Sequence, residues 1–174
     1  MKQIIPMLLA LLLFSCKDSS VNDQIQNSSS NIIFEVEYLN YAWGISYHGI
    51  MIDNEGKEYS YNPAKDTIPY LYHADGLYTE QELQAKYEHV KTYIKTIPSD
   101  SLNWSHNLAN QVTTTDYSDT TRVGIDMGSR TYSVYIFRPE INKYQQVVLK
   151  LEGDSEFYNK SQSAVTLVAW LKQY

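Results

Sequence analysis

The runs Arg130-Thr131-Tyr132-Ser133-Val134-Tyr135-Ile136-Phe137 and Tyr144-Gln145-Gln146-Val147-Val148-Leu149-Lys150-Leu151 decide the fold class. Both are rich in β-branched, aromatic and aliphatic residues, the composition of strands. In the second, Val147, Leu149 and Leu151 point one way and Gln146 and Lys150 the other, so one face goes to a core. Pro139 and Asn142 supply the turn between the two runs. Upstream, Thr121 to Met127 reads as a third strand joined through a two-residue turn at Gly128-Ser129, completing an antiparallel meander.

Further upstream the same alternation recurs. Ile33 to Tyr38 and Gly44 to Ile52 read as strands, and Asp53-Asn54-Glu55-Gly56 is a turn into Lys57 to Tyr61, which predicts a hairpin. Residues 62–78 carry Pro63, Pro69, Asp75 and Gly76 among Tyr70, Tyr72 and Tyr78, an irregular connection with its aromatics pinned to the domain. Thr79-Glu80-Gln81-Glu82 is a capping box, with Tyr78 and Leu83 at the staple positions. The stripe Leu83, Tyr87, Val90, Ile94 and Ile97 then predicts a helix that Pro98 ends. A shorter helix is expected from about Asp100 to Asn110, with Leu102, Leu108 and Val112 as its thin apolar evidence. Gly153-Asp154 breaks the last strand, and a closing helix follows from about Ser161 to Gln173, apolar around so much of its circumference that it should pack on two sides.

The expected architecture is therefore α+β: one globular domain over residues 31–174, with an antiparallel sheet of about five or six strands and the Leu83–Ile97 and C-terminal helices packed on one face. An internal echo also stands out. Ile52-Asp53 with Tyr59-Ser60 matches Ile125-Asp126 with Tyr132-Ser133 at the same offset, which either a duplicated hairpin-plus-helix unit or coincidence between two tyrosine-rich hairpins produces.

Residues 1–15 form a separate unit. A basic start at Lys2 precedes an apolar core of Ile4, Ile5 and Met7 through Phe14, then small Ser15, the pattern of a secretory signal peptide. The run is too short to span a hydrocarbon core of ~30 Å, and Pro6 interrupts it. Leu13-Phe14-Ser15-Cys16 resembles the lipobox of bacterial lipoproteins: Leu13 and Ser15 fit, and Phe14 is bulkier than usual. That resemblance implies cleavage before Cys16, a diacylglyceryl thioether on its sulfur and an acylated new amino terminus. With about 0.8 kcal/mol per buried methylene, two or more chains give a lasting anchor. The expected address is the cell envelope, on a bacterial membrane and most simply the outer one. Residues 17–30 hold five Ser and only Val21 and Ile25 as aliphatics, the composition of a tether of roughly 20 Å root-mean-square span and roughly 50 Å limit. Lys17-Asp18 resembles the charged clusters that route some Gram-negative lipoproteins to the surface; an ordinary hydrophilic spacer reads the same way.

The net charge of −6, one unit more negative without Lys2, argues against nucleic acid and against a peripheral grip on anionic lipid. The membrane contact expected is the acyl chains. Cys16 is the one cysteine, so its acylation leaves no disulfide or thiolate chemistry to the folded part.

Tyrosine is the compositional outlier, 16 of 174 residues. Under strict alternation Trp43 and Tyr47 share a face of the first hairpin, and Tyr59 and Tyr61 share a face of its partner strand. These four are the candidate binding surface, a stacking platform for a protein, peptide or glycan; aromatics at strand spacing equally serve as core and cross-strand pairs. His48, His73, His89 and His106 show no metal-ligand spacing, so no metal and no other cofactor is expected. No nucleophile elbow or Ser-x-x-Lys pair occurs. Asp53 and Asp126 are the least implausible carboxylate pair for glycoside hydrolysis, which needs two acids across ~5–9 Å, but both fall at predicted turns, where Asp bonds locally. Arg122, Arg130 and Arg138 all fall in the meander, as an anion-binding patch or as solubilising charge. The function expected is a non-enzymatic, lipid-tethered binding module. The alternatives are a lipid-anchored hydrolase of envelope or extracellular polymer and an inhibitor or immunity-type partner of a secreted enzyme.

Overall fold

The computed structural model describes residues 32–62, 73–87 and 91–174. The signal peptide, Cys16, the tether, Tyr70, Tyr72, His89 and Val90 lie outside the described residues.

Among the described residues nine strands and three helices follow in the order β1 (Ile32–Asn40), β2 (Ser46–Ile52), β3 (Lys57–Tyr61), β4 (Leu77–Tyr78), α1 (Glu80–Tyr87), β5 (Lys91–Thr96), α2 (Ser99–Ala109), β6 (Thr121–Arg122), β7 (Ser129–Arg138), β8 (Lys143–Gly153), β9 (Ser155–Tyr158) and α3 (Gln162–Leu171). The sheet runs β5-β3-β2-β1-β7-β8-β9-β6, with β4 also paired to β8. Every one of these strand pairings is antiparallel. The α+β class holds, but the sheet exceeds the expected five or six strands. The surplus comes from the short pieces β4 and β9 and from β5.

β5 occupies the second half of the predicted Leu83–Ile97 helix. Lys91-Thr92-Tyr93-Ile94-Lys95-Thr96 is β-branched and aromatic, every residue in it is exposed, and it pairs antiparallel with β3 as an edge strand guarded by two lysines. Ile94, counted in the apolar stripe, is 46 % exposed. The capping box at the start of α1 forms as read: the Glu82 amide donates to Thr79 Oγ1 at 3.2 Å and the Thr79 amide to Glu82 Oε2 at 2.7 Å.

The meander is also redrawn. Only Thr121 and Arg122 of its first segment are strand, and they pair with β9. The place beside β7 goes to β1, which lies between β7 and β2. No hairpin therefore forms at Gly128-Ser129, and the echo between the two halves has no structural counterpart there.

Both faces of the sheet are covered. On one, Phe34, Ile52, Val134, Ile136, Val147 and Leu149 pack against α2 and α3. On the other, Tyr47, Met51, Tyr61, Tyr135 and Tyr144 pack against Tyr78 and, on α1, Leu83 and Tyr87. The expectation of both helices on one face is thus corrected: α1 lies opposite α3, and α2 takes the place beside α3. The closing helix does pack on two sides, on the sheet and on α2, where Trp170 Nε1 donates to Ser101 Oγ at 3.2 Å. Its start is fixed by Ser161, whose hydroxyl accepts from the Ala164 amide, and by buried Asn159, which accepts from Ser161 and donates to the Thr113 carbonyl.

Candidate functional site: an uncovered stretch of sheet

Alternation along β1 sends Phe34, Val36 and Tyr38 to the α2/α3 face. Phe34 is capped there by Trp170, ring centroids 5.1 Å apart, and by His106 at 5.8 Å. α3 then ends at Leu171; in the next two rows of the sheet Tyr132 is still buried and Val36 and Ile50 partly so, whereas His48 and Arg130 are exposed. Register fixes their composition. Val36 lies between Ile50 on β2 and Tyr132 on β7; Tyr38 lies between His48 on β2 and Arg130 on β7. The result is a groove of about 660 Å³, floored by these rows and closed at one end by Leu171, Lys172 and Tyr174.

Its rings are held in place. Tyr38 and His48 tilt together at 4.9 Å, and the Tyr38 hydroxyl donates to the Met127 carbonyl at 3.1 Å. Lys172 Nζ sits 5.6 Å from the centre of the Tyr132 ring, and Lys95 Nζ 4.9 Å from that of Tyr174. Beside the groove Glu152 takes Lys150 at 2.7 Å, Lys172 at 3.2 Å and the Tyr132 hydroxyl at 2.9 Å. Partial burial opposes its ionisation, but those three donors outweigh it and hold the carboxyl down at about 2. Burial, followed by the same carboxylate, pushes the Tyr132 phenol up to about 12. Among the described residues the charged side chains that line the groove are Arg130 and Lys172, while beside it Lys150 and Lys172 share Glu152 and Lys95 pairs with Glu58: a positive lining on an acidic chain.

At the far end of the groove two loops meet. Asn40 Nδ2 donates to the Asp126 carbonyl and Tyr38 reaches Met127, tying residues 41–45 to residues 123–128. These loops expose Trp43 (89 %), Ile125 (69 %), Tyr41, Met127 and Val123.

The four aromatics read as a binding surface are divided by the fold. Trp43 stands in solvent at this loop tip, whereas Tyr47 and Tyr61 are buried on the other face, 5.5 Å apart, and half-buried Tyr59 pairs with Tyr93 near the sheet edge. Asp53 and Asp126 do not face one another. Asp53 follows Ile52, which pairs with Phe34, and Asp126 bonds Asn40, so the two sit at opposite ends of β1, about 20 Å apart at 3.3 Å per residue. Asp53 caps its turn by accepting from the Glu55 and Lys57 amides. The described histidines scatter: His48 lines the groove, His73 contacts Glu82 at 3.3 Å, and His106 is a buried residue of α2. Of the arginines only Arg130 reaches the groove; Arg138, at the other end of β7, donates to Gln145. Among the described residues no three His, Cys, Asp or Glu side chains gather closely enough to hold a metal, and no helix is long and apolar enough to cross a membrane.

The sheet's other face holds a buried charge network that sequence reading missed. Glu35, 1 % exposed, accepts from Lys86 Nζ at 2.8 Å and from the Tyr61 and Tyr135 hydroxyls at 2.7 Å each; Lys86 also reaches Glu37, which accepts from Tyr47 at 2.9 Å. Burial alone raises a carboxyl, but the Lys86 charge and these hydrogen bonds hold Glu35 below the ordinary value. Burial lowers an ammonium, and Glu35 with Glu37 reverses that for Lys86, whose pKa is raised. Tyr61 reaches Glu35 by crossing over Gly49, where a Cβ would lie 2.5 Å from its hydroxyl. The available signal was Glu35 and Glu37 on one strand face with Ile33 and Leu39.

Comparison with protein-family models, with curated proteins and with solved structures finds no match to this chain.

Proposed function

We propose that the chain is a lipid-anchored lipoprotein of the bacterial cell envelope, held by Cys16 and residues 17–30, and that its domain is a non-enzymatic binding module. The observation that carries the binding reading is the open stretch of sheet beyond α3, where the paired Tyr38 and His48 rings and the cations Arg130 and Lys172 line a groove of small-ligand size. The two candidate acids stand at opposite ends of β1, which removes the support for the hydrolase alternative that rested on their pairing. The lipobox supports the anchor and the tether gives the domain reach.

Two measurements test this. Cys16→Ala is expected to abolish fatty-acid labelling and to release the protein from the membrane fraction; an acylated or membrane-retained Cys16→Ala protein overturns the anchor. The acylated protein in detergent is then sedimented with insoluble envelope polymer while released reducing ends are followed. Retention without new ends, weakened by Tyr38→Ala, supports the module. New ends lost on Tyr38→Ala return the hydrolase, and retention indifferent to Tyr38→Ala removes the groove from the reading.

A further inference from the structure

We infer that the groove binds an acidic glycan, a short run of sugar rings bearing carboxylate or sulfate. This rests on the groove being the binding site proposed above.

The floor and walls match a sugar's two kinds of surface. Partly buried Val36 and Ile50 and the Tyr38 and Tyr174 rings offer apolar faces on which pyranose C–H groups pack. Ser60, Asn62 and His48 stand at the edges as hydrogen-bonding partners for hydroxyls. A volume of about 660 Å³ admits a few rings.

Charge sets the class of sugar. Arg130 is exposed on the floor, with a planar fork suited to a carboxylate or sulfate, and both it and Lys172 reach Tyr132, so the two cations of the lining stand together. Glu152, the carboxylate that would repel an anion, already has three donors around it. An acidic group on the glycan meets these two cations, and the neighbouring sugar rings pack on Tyr38 and Tyr174.

A peptide fits less well. An extended peptide gains affinity by adding a strand to a sheet edge. This groove lies on a sheet face whose floor strands β2, β1 and β7 are paired to neighbours on both sides.

The test is calorimetric titration of the full-length acylated protein in detergent with three oligosaccharides of equal length: an oligogalacturonate, a sulfated galactan and a neutral galactan. One or both acidic ligands should bind at least about tenfold tighter than the neutral one, with the tighter of the two identifying carboxylate or sulfate as the natural group. Arg130→Gln should erase that preference, and Tyr38→Ala should weaken all binding about tenfold, with unchanged thermal unfolding showing that both variants are folded. Gln84→Ala, on exposed α1 surface of the opposite face, should change nothing. Equal affinity for acidic and neutral ligands overturns the acidic class and leaves the binding module standing. Binding of none of the three, with envelope polymer still retained through Tyr38, overturns the glycan class alone. Loss of that retention as well removes the reading beneath it.

Discussion

Lys86→Met strips the buried network of its one cation. Glu35 remains 1 % exposed, with Glu37 two residues along the same face and only the Tyr61 and Tyr135 hydroxyls to solvate it. Orphaning one member of a buried pair costs about 3–5 kcal/mol. At about 2 kcal/mol per molar of urea, that moves the unfolding midpoint down by about 2 M at pH 7. The pH dependence carries the sharper signature. In the parent protein the folded Glu35 carboxyl lies below 4.5, so its stabilisation is complete above that value and drains away as pH falls through the lowered folded value. In Lys86→Met only the two tyrosine hydroxyls oppose burial and the folded carboxyl rises above 4.5, so stability is lost as pH climbs through the raised value. The deficit of the variant is therefore greatest at pH 7 and shrinks toward pH 4.5. Adding Glu35→Gln removes the second charge and should recover most of the loss, since the amide oxygen accepts from one tyrosine hydroxyl and its NH2 donates to the other. Urea titrations by circular dichroism at the two pH values decide the matter. A Lys86→Met protein within about 1 kcal/mol of the parent, with a pH-independent difference, would refute the buried-charge reading.

Gly49→Ala places a Cβ 2.3 Å from the Val36 carbonyl oxygen and 2.5 Å from the Tyr61 hydroxyl, so a loss of about 1–3 kcal/mol is expected in the same urea assay. Burial against Phe34 lowers the pKa of His106, so stability should decline as pH drops below 6.5 and go on declining until the folded state takes up the proton; melting curves from pH 7.5 to 5 on the parent and His106→Leu should show that slope only in the parent. Trp43→Ser should leave stability within about 0.5 kcal/mol while moving the tryptophan emission toward the blue, because Trp43 is 89 % exposed against 44 % for Trp104 and 6 % for Trp170.

The elements readable from the sequence are those whose pattern is local. The β2–β3 hairpin follows from its Asp53-to-Gly56 turn, α1 starts where its capping box says, and β7 and β8 follow from alternation on either side of Pro139. Residues 91–96 misled because Ile94 and Ile97 continue a helical spacing from Leu83, while the competing signal, four β-branched or aromatic residues in six, is one an edge strand satisfies without burying any. β1 between β2 and β7 is a long-range choice that no local turn announces, and it removed the expected hairpin at Gly128-Ser129. Glu35 and Lys86 were illegible for a different reason. A charge on a strand reads as a solvent-facing position until a cation from another element, 51 residues away, is known to reach it.

The tyrosine excess has one physical origin on both faces. Nine residues of β1 span about 30 Å, whereas ten residues of α3 span about 15 Å and eight of α1 about 12 Å, so neither layer of helix can cover the sheet. On the α1 face the shortfall is filled by long amphipathic side chains: Tyr47, Tyr61 and Tyr135 pack as hydrophobes while their hydroxyls, with Lys86, satisfy the carboxylates of Glu35 and Glu37. On the α3 face the row left open is that of Tyr38, His48 and Arg130, side chains that tolerate water on one side and packing on the other, next to buried Tyr132. A phenylalanine at 61 or 135 would leave Glu35 short of donors, and one at 132 would take a donor from Glu152. The same length mismatch therefore accounts for a closed polar core on one face and an open aromatic groove on the other. It also explains why the aromatic surface expected on the first hairpin forms instead across β2, β1 and β7.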